Sequence, residues 1–175
     1  MLQDDDDTAL PQMLQVYANV ATATGADILT DFSDNFASTA QGPRFSHRSL
    51  AVGDAFAHNF FVNNYGKANL CVRPRAALAV GGHHEDFSPF VDWAFFARAS
   101  LAGLHIELVP MALYHYTANS TGSIYYASMA SKADHYRGHA KMLADVIKVA
   151  PAKLHDVLTL CHYQLAHPRV YGQGN

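Results

Sequence analysis

The stretch from Gly81 to Arg98, GGHHEDFSPFVDWAFFAR, constrains this chain more than any other. A glycine pair stops one element, the next loop carries Glu85 and Asp86, and Pro89 closes that loop. Asp92 and Trp93 then open a helix predicted to run to Ala102 and stop at Gly103. Trp93, Phe96, Ala97, Ser100 and Leu101 share one face, with Phe95 beside it, so this helix has to be packed. A carboxylate at the start of a packed helix, just after a loop able to line a cleft, is held rigidly enough to serve as a general base. The alternative for Asp92 is a helix N-cap. Glu85 and Asp86 are second candidates for the same chemistry, against simple solvent exposure.

The other elements follow in order. Apolar spacing through Leu10, Met13, Leu14, Tyr17 and Ala21 predicts a helix from about Thr8 to Thr24, with Pro11 in its first turn and Gly25 as its stop. Ala26 to Phe32 reads as a short buried strand, Ser33 to Ser49 as a polar loop broken at Gly42-Pro43, and Ala68 to Val72 as a second strand. Arg75 to Val80 reads as a short helix. His105 to Val109 alternates as a strand does, Pro110 ends it, and Tyr114 to Ser123 reads as a loop. Ile124 to Val149 and Pro151 to Ala166 read as two helices whose apolar stripes, Leu143 with Ile147 and Leu154 with Leu158, serve to pack on the body of the domain. Strands alternating with helices give an α/β fold with a helical C-terminal segment.

Composition narrows the function classes. The 175 residues are half apolar and 15% charged, so they can bury a sizeable core. The net charge is -3 and Lys and Arg form no run, which argues against nucleic-acid binding through a basic patch. No apolar run reaches the roughly 18 residues of a membrane span. Cys71 and Cys161 fit no zinc or redox spacing, which with the lack of a signal peptide points to the cytoplasm.

Asp4, Asp5, Asp6 and Asp7 stand together. Bunched carboxylates repel, and a divalent cation with oxygen ligands relieves the repulsion, so Asp4 and Asp6 are metal-ligand candidates. The alternatives are capping of the following helix and a solvated acidic terminus. His115, between Tyr114 and Tyr116 at a strand end, is a third metal candidate, set against an ordinary half-exposed histidine. The eleven histidines otherwise make weak chelates: His83 and His84 diverge, and the His135–His139 pair has Arg137 between its members. Asn63, Asn64, Tyr65 and Asn69 set amides beside an aromatic ring, a combination suited to sugar hydroxyls, with turn-forming asparagine as the alternative.

Taken in order, LQDDDDTALPQM, TGADILTDF, NNYGKANLCVRPRAALAVGG and EDFSPFVDWAFFARASLAGLHIELVPMALYHY resemble a family 2 glycosyltransferase of the GT-A type over Leu2 to about Ser123. The resemblance implies a partial Rossmann-like GT-A sheet flanked by helices at 1–123, with a helical extension at 124–175. It implies that Asp4 and Asp6 hold a divalent cation, manganese or magnesium. Asp4, Asp5, Asn69 and Tyr65 would meet a nucleotide-sugar donor. Asp92 would be the base that deprotonates an acceptor hydroxyl, with inversion at the anomeric carbon, and Glu85-Asp86 the acceptor-side loop. The partners implied are the nucleotide-sugar and a saccharide or other hydroxyl acceptor, in a cytoplasmic protein that could also sit peripherally on a membrane.

Three departures from the family pattern stand out. Val91 replaces the acidic residue that precedes the base. His115 and Thr117 flank Tyr116 where an aromatic-Tyr-Arg run is frequent, so a cation near the diphosphate is missing from that run. The family's nucleotide-binding half would precede Met1, so the chain reads as a fragment completed by another half or by a homo-oligomer. The rival reading is a non-catalytic remnant that binds saccharide or another chain.

Overall fold

The structure is a computed structural model that describes residues 1–118 and 131–166. In chain order its elements are β1 (Thr8–Ala9), α1 (Met13–Thr24), β2 (Ile28–Ala37), β3 (Arg44–Ser49), α2 (Phe56–Asn59), β4 (Cys71–Val72), α3 (Pro74–Ala79), a 3-10 turn (Glu85–Phe87), α4 (Val91–Leu101), β5 (Ile106–Ala118), α5 (Lys132–Val149) and α6 (Ala152–Ala166). The strands form an open five-stranded sheet in the order β1-β5-β2-β3, with β4 paired to the first residues of β2. β2 and β5 are parallel and the other pairings antiparallel. This is the α/β sheet with flanking helices that the sequence predicts.

Strand alternation divides the core into two layers. Ile28 and Leu29 are consecutive, so they face opposite sides of the sheet. Leu29 packs with Met13 and Tyr17 of α1 and with Val109 and Leu113 of β5. Ile28 packs with Leu70, Ile106 and the aromatic face of α4, namely Phe90, Trp93, Phe95 and Phe96. Each such fully buried side chain contributes about 1.5–3 kcal/mol. Met142, Leu143 and Val146 of α5 and Leu158 of α6 belong to this same core, with Ile147 and Leu154 packed on it. The expected boundary at 123/124 lies outside the described residues. Among the described residues no helix is long and apolar enough to cross a membrane.

Arg98 ties three pieces together. Its buried guanidinium donates to the carbonyls of Val80 (3.0 Å) and Gly82 and to Asp145 of α5 (3.2 Å). The turn at Gly81-Gly82 and helix α5 are thereby fixed to α4.

Four expectations are corrected. The first helix begins at Met13, because Leu10 gives its N–H to Leu113 and extends the β1 pairing, leaving Pro11 and Gln12 in a turn; Leu14 is 64% exposed. Ser33–Ser49 is a hairpin, with β2 running on to Ala37 and β3 exposed along its outer edge. The charged side chains of β3 suit an edge strand. Pro110 does not end β5: the register steps from Asp31↔Val109 to Phe32↔Ala112, so Pro110 and Met111 form a bulge where the missing N–H costs no ladder bond. Tyr114 to Ala118 is therefore strand, and the rest of that predicted loop lies outside the described residues.

Candidate functional site

The aspartate run is a turn clipped shut by one amide. Asp7 donates its N–H to the Asp4 carbonyl (3.3 Å), leaving Asp5 and Asp6 exposed at the tip. Asn69, 1% exposed, accepts from the Asp4 N–H (2.7 Å) and donates to the Asp7 carboxylate, whose other oxygen accepts from the Thr117 N–H (2.9 Å). Helix capping is thus excluded, since Gln12 holds the cap position of α1. Burial raises the Asp4 pKa, helped by Asp6 and Asp5 and opposed by Lys67. Burial also raises that of Asp7, against the hydrogen bonds from Thr117 and Asn69.

Asp92 is the second residue of α4. Phe90 occupies the cap position without a side-chain bond, so Asp92 is not an N-cap. One carboxylate oxygen accepts from the Trp93 N–H (2.7 Å) and the other from the Asn63 amide (3.1 Å). Trp93 is in turn anchored, because its indole donates to the Asn59 carbonyl (2.6 Å) and its ring lies 4.2 Å from that of His139. Burial pushes the Asp92 pKa up to about 6; its two hydrogen bonds pull it down, and the charge of Asp4 pushes it up further. A carboxylate in that range accepts a proton near neutral pH more readily than an ordinary aspartate.

Asp4, Asp7 and Asp92 share a neighbour that sequence reasoning missed. Lys67 feels all three carboxylates, yet among the described residues none is in ion-pair contact with it. Its ammonium instead donates to Asn35 Oδ1 (2.8 Å) and sits 3.4 Å from the centre of the Tyr116 ring. Burial lowers its pKa to about 8, against the pull of Asp7, Asp92 and Asp4. Lys67 and Asn63 line a pocket of about 120 Å³, together with Asp31, Ser33, Ser49 and Asn64. Burial pushes the Asp31 carboxyl in this wall up to about 7. A lone lysine within an amide-rich stretch gives no sequence signal of such a setting.

Of the residues named from the sequence, Asp4 and Asp92 thus feel each other's charge, Asp7 shares the turn with Asp4, and Asn63 holds Asp92; Lys67 is the addition. The structure sets others apart. Tyr65 is fully buried and stacked on Phe96 at 5.3 Å, so its ring serves the core rather than the pocket wall. The amide of Asn69 is spent on holding the aspartate turn. His115 alternates away from Tyr114 and Tyr116, and its ring lies 4.6 Å from that of Phe36, tilted by 49°. Asp86 is exposed, its carbonyl accepting from Lys141 (3.2 Å), and the Glu85 side chain lies outside the described residues.

Among the described residues no three His, Cys, Asp or Glu side chains converge as a metal site. The donors present nevertheless suit a hard cation, because Asp4 and Asp6 offer oxygen ligands whose repulsion a cation would relieve. Magnesium-type ions commonly take one or two carboxylates and complete their shell with phosphate oxygens and water.

No protein-family model and no curated protein significantly matches the chain. Among solved structures it is similar to S. aureus TarS 1–349 in complex with UDP-GlcNAc, with a TM-score of 0.61 and 16% identity over 95% of this chain and 48% of that one. A second crystal structure of TarS 1–349 gives a TM-score of 0.59 and 16% identity, over 97% and 48%. The chain therefore spans about half the length of the TarS structures. The open mixed sheet, with α1 on one face and α4 to α6 on the other, is thus a fold this chain shares with TarS.

Proposed function

We propose that this chain is the catalytic, acceptor-side portion of a family 2, GT-A type glycosyltransferase that moves a sugar from a nucleotide-sugar donor to an acceptor hydroxyl with inversion. The observation that carries the proposal is Asp92, held by the Trp93 N–H and by Asn63, which lines the pocket, with its pKa pushed to about 6. The UDP-GlcNAc complex of TarS, a structural neighbour, supports the donor class.

In this reading Asp92 takes the proton of the acceptor hydroxyl as its oxygen attacks the anomeric carbon. The bond from that carbon to the diphosphate oxygen breaks on the opposite side, and the electron pair leaves with the nucleoside diphosphate. Asp4 and Asp6 would hold a manganese or magnesium ion, and Asp5 lies beside them at the tip of the turn. When bound, such an ion spreads the charge of the leaving diphosphate. Asn69 contributes by keeping the turn closed.

Calorimetric titration with UDP-GlcNAc, with and without manganese, tests the reading. Manganese-dependent binding that a chelator or Asp6→Ala abolishes is expected. Asp92→Asn is then expected to keep donor binding and lower transfer by about 10²- to 10⁴-fold. A folded chain that binds no nucleotide-sugar under either condition would sink the proposal. The second reading, a non-catalytic chain that binds saccharide, draws on Val91, which leaves Asp92 without an acidic neighbour before it. It expects glycoside binding without donor binding.

A further inference from the structure

Lys67 is an ammonium placed among three carboxylates and bonded to none of them. A partly buried ammonium without a counter-ion in contact is costly, and both oxygens of Asp7 and of Asp92 are already taken by other donors. Here the Asn35 carbonyl oxygen and the face of Tyr116 hold the ammonium off Asp4, Asp7 and Asp92. The supports are themselves fixed. The Asn35 amide donates to Ser49 Oγ (2.9 Å) and to the carbonyls of Ser33 (3.2 Å) and His47 (3.3 Å), so its oxygen is turned toward the lysine. Neither support neutralises the charge, because one is a neutral amide and the other a ring quadrupole. Among the described residues Lys67 alone gives the pocket lining a positive charge.

A cation near carboxylates but bonded to none of them is set up for an anion that arrives later. The neighbouring carboxylates decide which kind. A simple monoanion would meet net repulsion from Asp4, Asp7 and Asp92, whereas an anion that brings its own divalent cation to the aspartate turn would meet attraction on both sides. We propose that Lys67 is a diphosphate-binding residue: its ammonium takes a phosphoryl oxygen of the donor while the aspartate turn takes the accompanying cation. Tyr116 lies between His115 and Thr117, neither of which supplies a fixed positive charge, so in this chain the cation at that ring comes from a different segment. This inference rests on the donor reading given above and names the residue that meets the leaving group.

Inorganic pyrophosphate is the probe, because it needs no site for a base or a sugar. Calorimetric titrations of the full chain with pyrophosphate and with UDP-GlcNAc, each with magnesium, are compared for the wild type, Lys67→Met and Lys67→Arg. Lys67→Met is expected to weaken pyrophosphate about 10- to 100-fold, the range of a lost charge-assisted hydrogen bond, with Lys67→Arg recovering most of it. Trp93 fluorescence checks that each variant is folded. Binding of magnesium alone should be unchanged or tighter in Lys67→Met, since a repelling charge is gone. Pyrophosphate affinity that is equal in the wild type and Lys67→Met overturns the inference, as does a wild type that binds UDP-GlcNAc but not pyrophosphate. Lys67-dependent pyrophosphate binding without any UDP-GlcNAc binding leaves the inference standing and removes the donor reading. Binding of neither ligand removes both.

Discussion

Burial acts on Asp92 and Lys67 in opposite directions and brings their proton affinities close together, about 6 against about 8. A base has to be deprotonated and an anion-binding amine protonated. Transfer should therefore rise as pH passes up through about 6 and fall as it passes through about 8, a bell-shaped profile in kcat/KM. Lys67→Met should abolish the alkaline limb and leave the acid limb, which a pH series of initial rates would check; an alkaline limb that persists would assign it elsewhere. Asp92 can be singled out in the sequence as a candidate because a carboxylate before Trp and a packed helix has a spacing that can be read. Lys67 cannot, because its setting depends on Asn35, Tyr116 and the aspartate turn, which lie far from it along the chain. The four aspartates were legible as a group but not one by one. Only the fold shows that Asp7 is consumed by Asn69 and Thr117 while Asp5 and Asp6 face outward.

The segment that delivers the site residues depends on one small residue. Gly66 passes so close to β2 that an added Cβ would lie 1.7 Å from Thr30 Oγ1 and 2.9 Å from Thr30 Cβ. Gly66→Ala is expected to cost about 1–3 kcal/mol through overpacking. In a thermal melt that is a loss of about 2–4 °C per kcal/mol. Pyrophosphate or donor binding should weaken with it, because Asn63 and Lys67 flank the displaced residue; an unchanged melt would show that β2 yields easily. The strands also show which elements a sequence declares. Ile28 to Phe32 was readable because its apolar residues are buried on both faces. Ser33 to Ala37 and Arg44 to Ser49 were read as loop, since polar residues there pair by backbone while their side chains bond each other or water. Pro110 misled for a definite reason: proline stops a strand only where its N–H is needed, and at a bulge it is not.

Across the whole molecule, the C-terminal helices share one core with α4, and Arg98 pins α5 to the same helix through Asp145. Arg98 is buried while Asp145 is partly exposed, so the main loss in Arg98→Ala is the donors to the Val80 and Gly82 carbonyls, expected to lower stability by about 1–3 kcal/mol. The single tryptophan, Trp93, sits between α4 and His139 and reports on this junction. Its fluorescence and far-ultraviolet circular dichroism should lose signal in one coincident denaturant transition, in the wild type and in Arg98→Ala alike. Two separated transitions would mean that the helices unfold apart from the sheet. The same tryptophan has a consequence for the chemistry proposed at its neighbour. Successive residues of a helix point about 100° apart, so Asp92 is turned toward Asn63 while Trp93 is wedged in the interior, with no rotatable joint between them except the helix itself. The accuracy with which the carboxylate is aimed is thus inherited from the packing of the interior. Whatever has to shift during turnover shifts around this group and not with it.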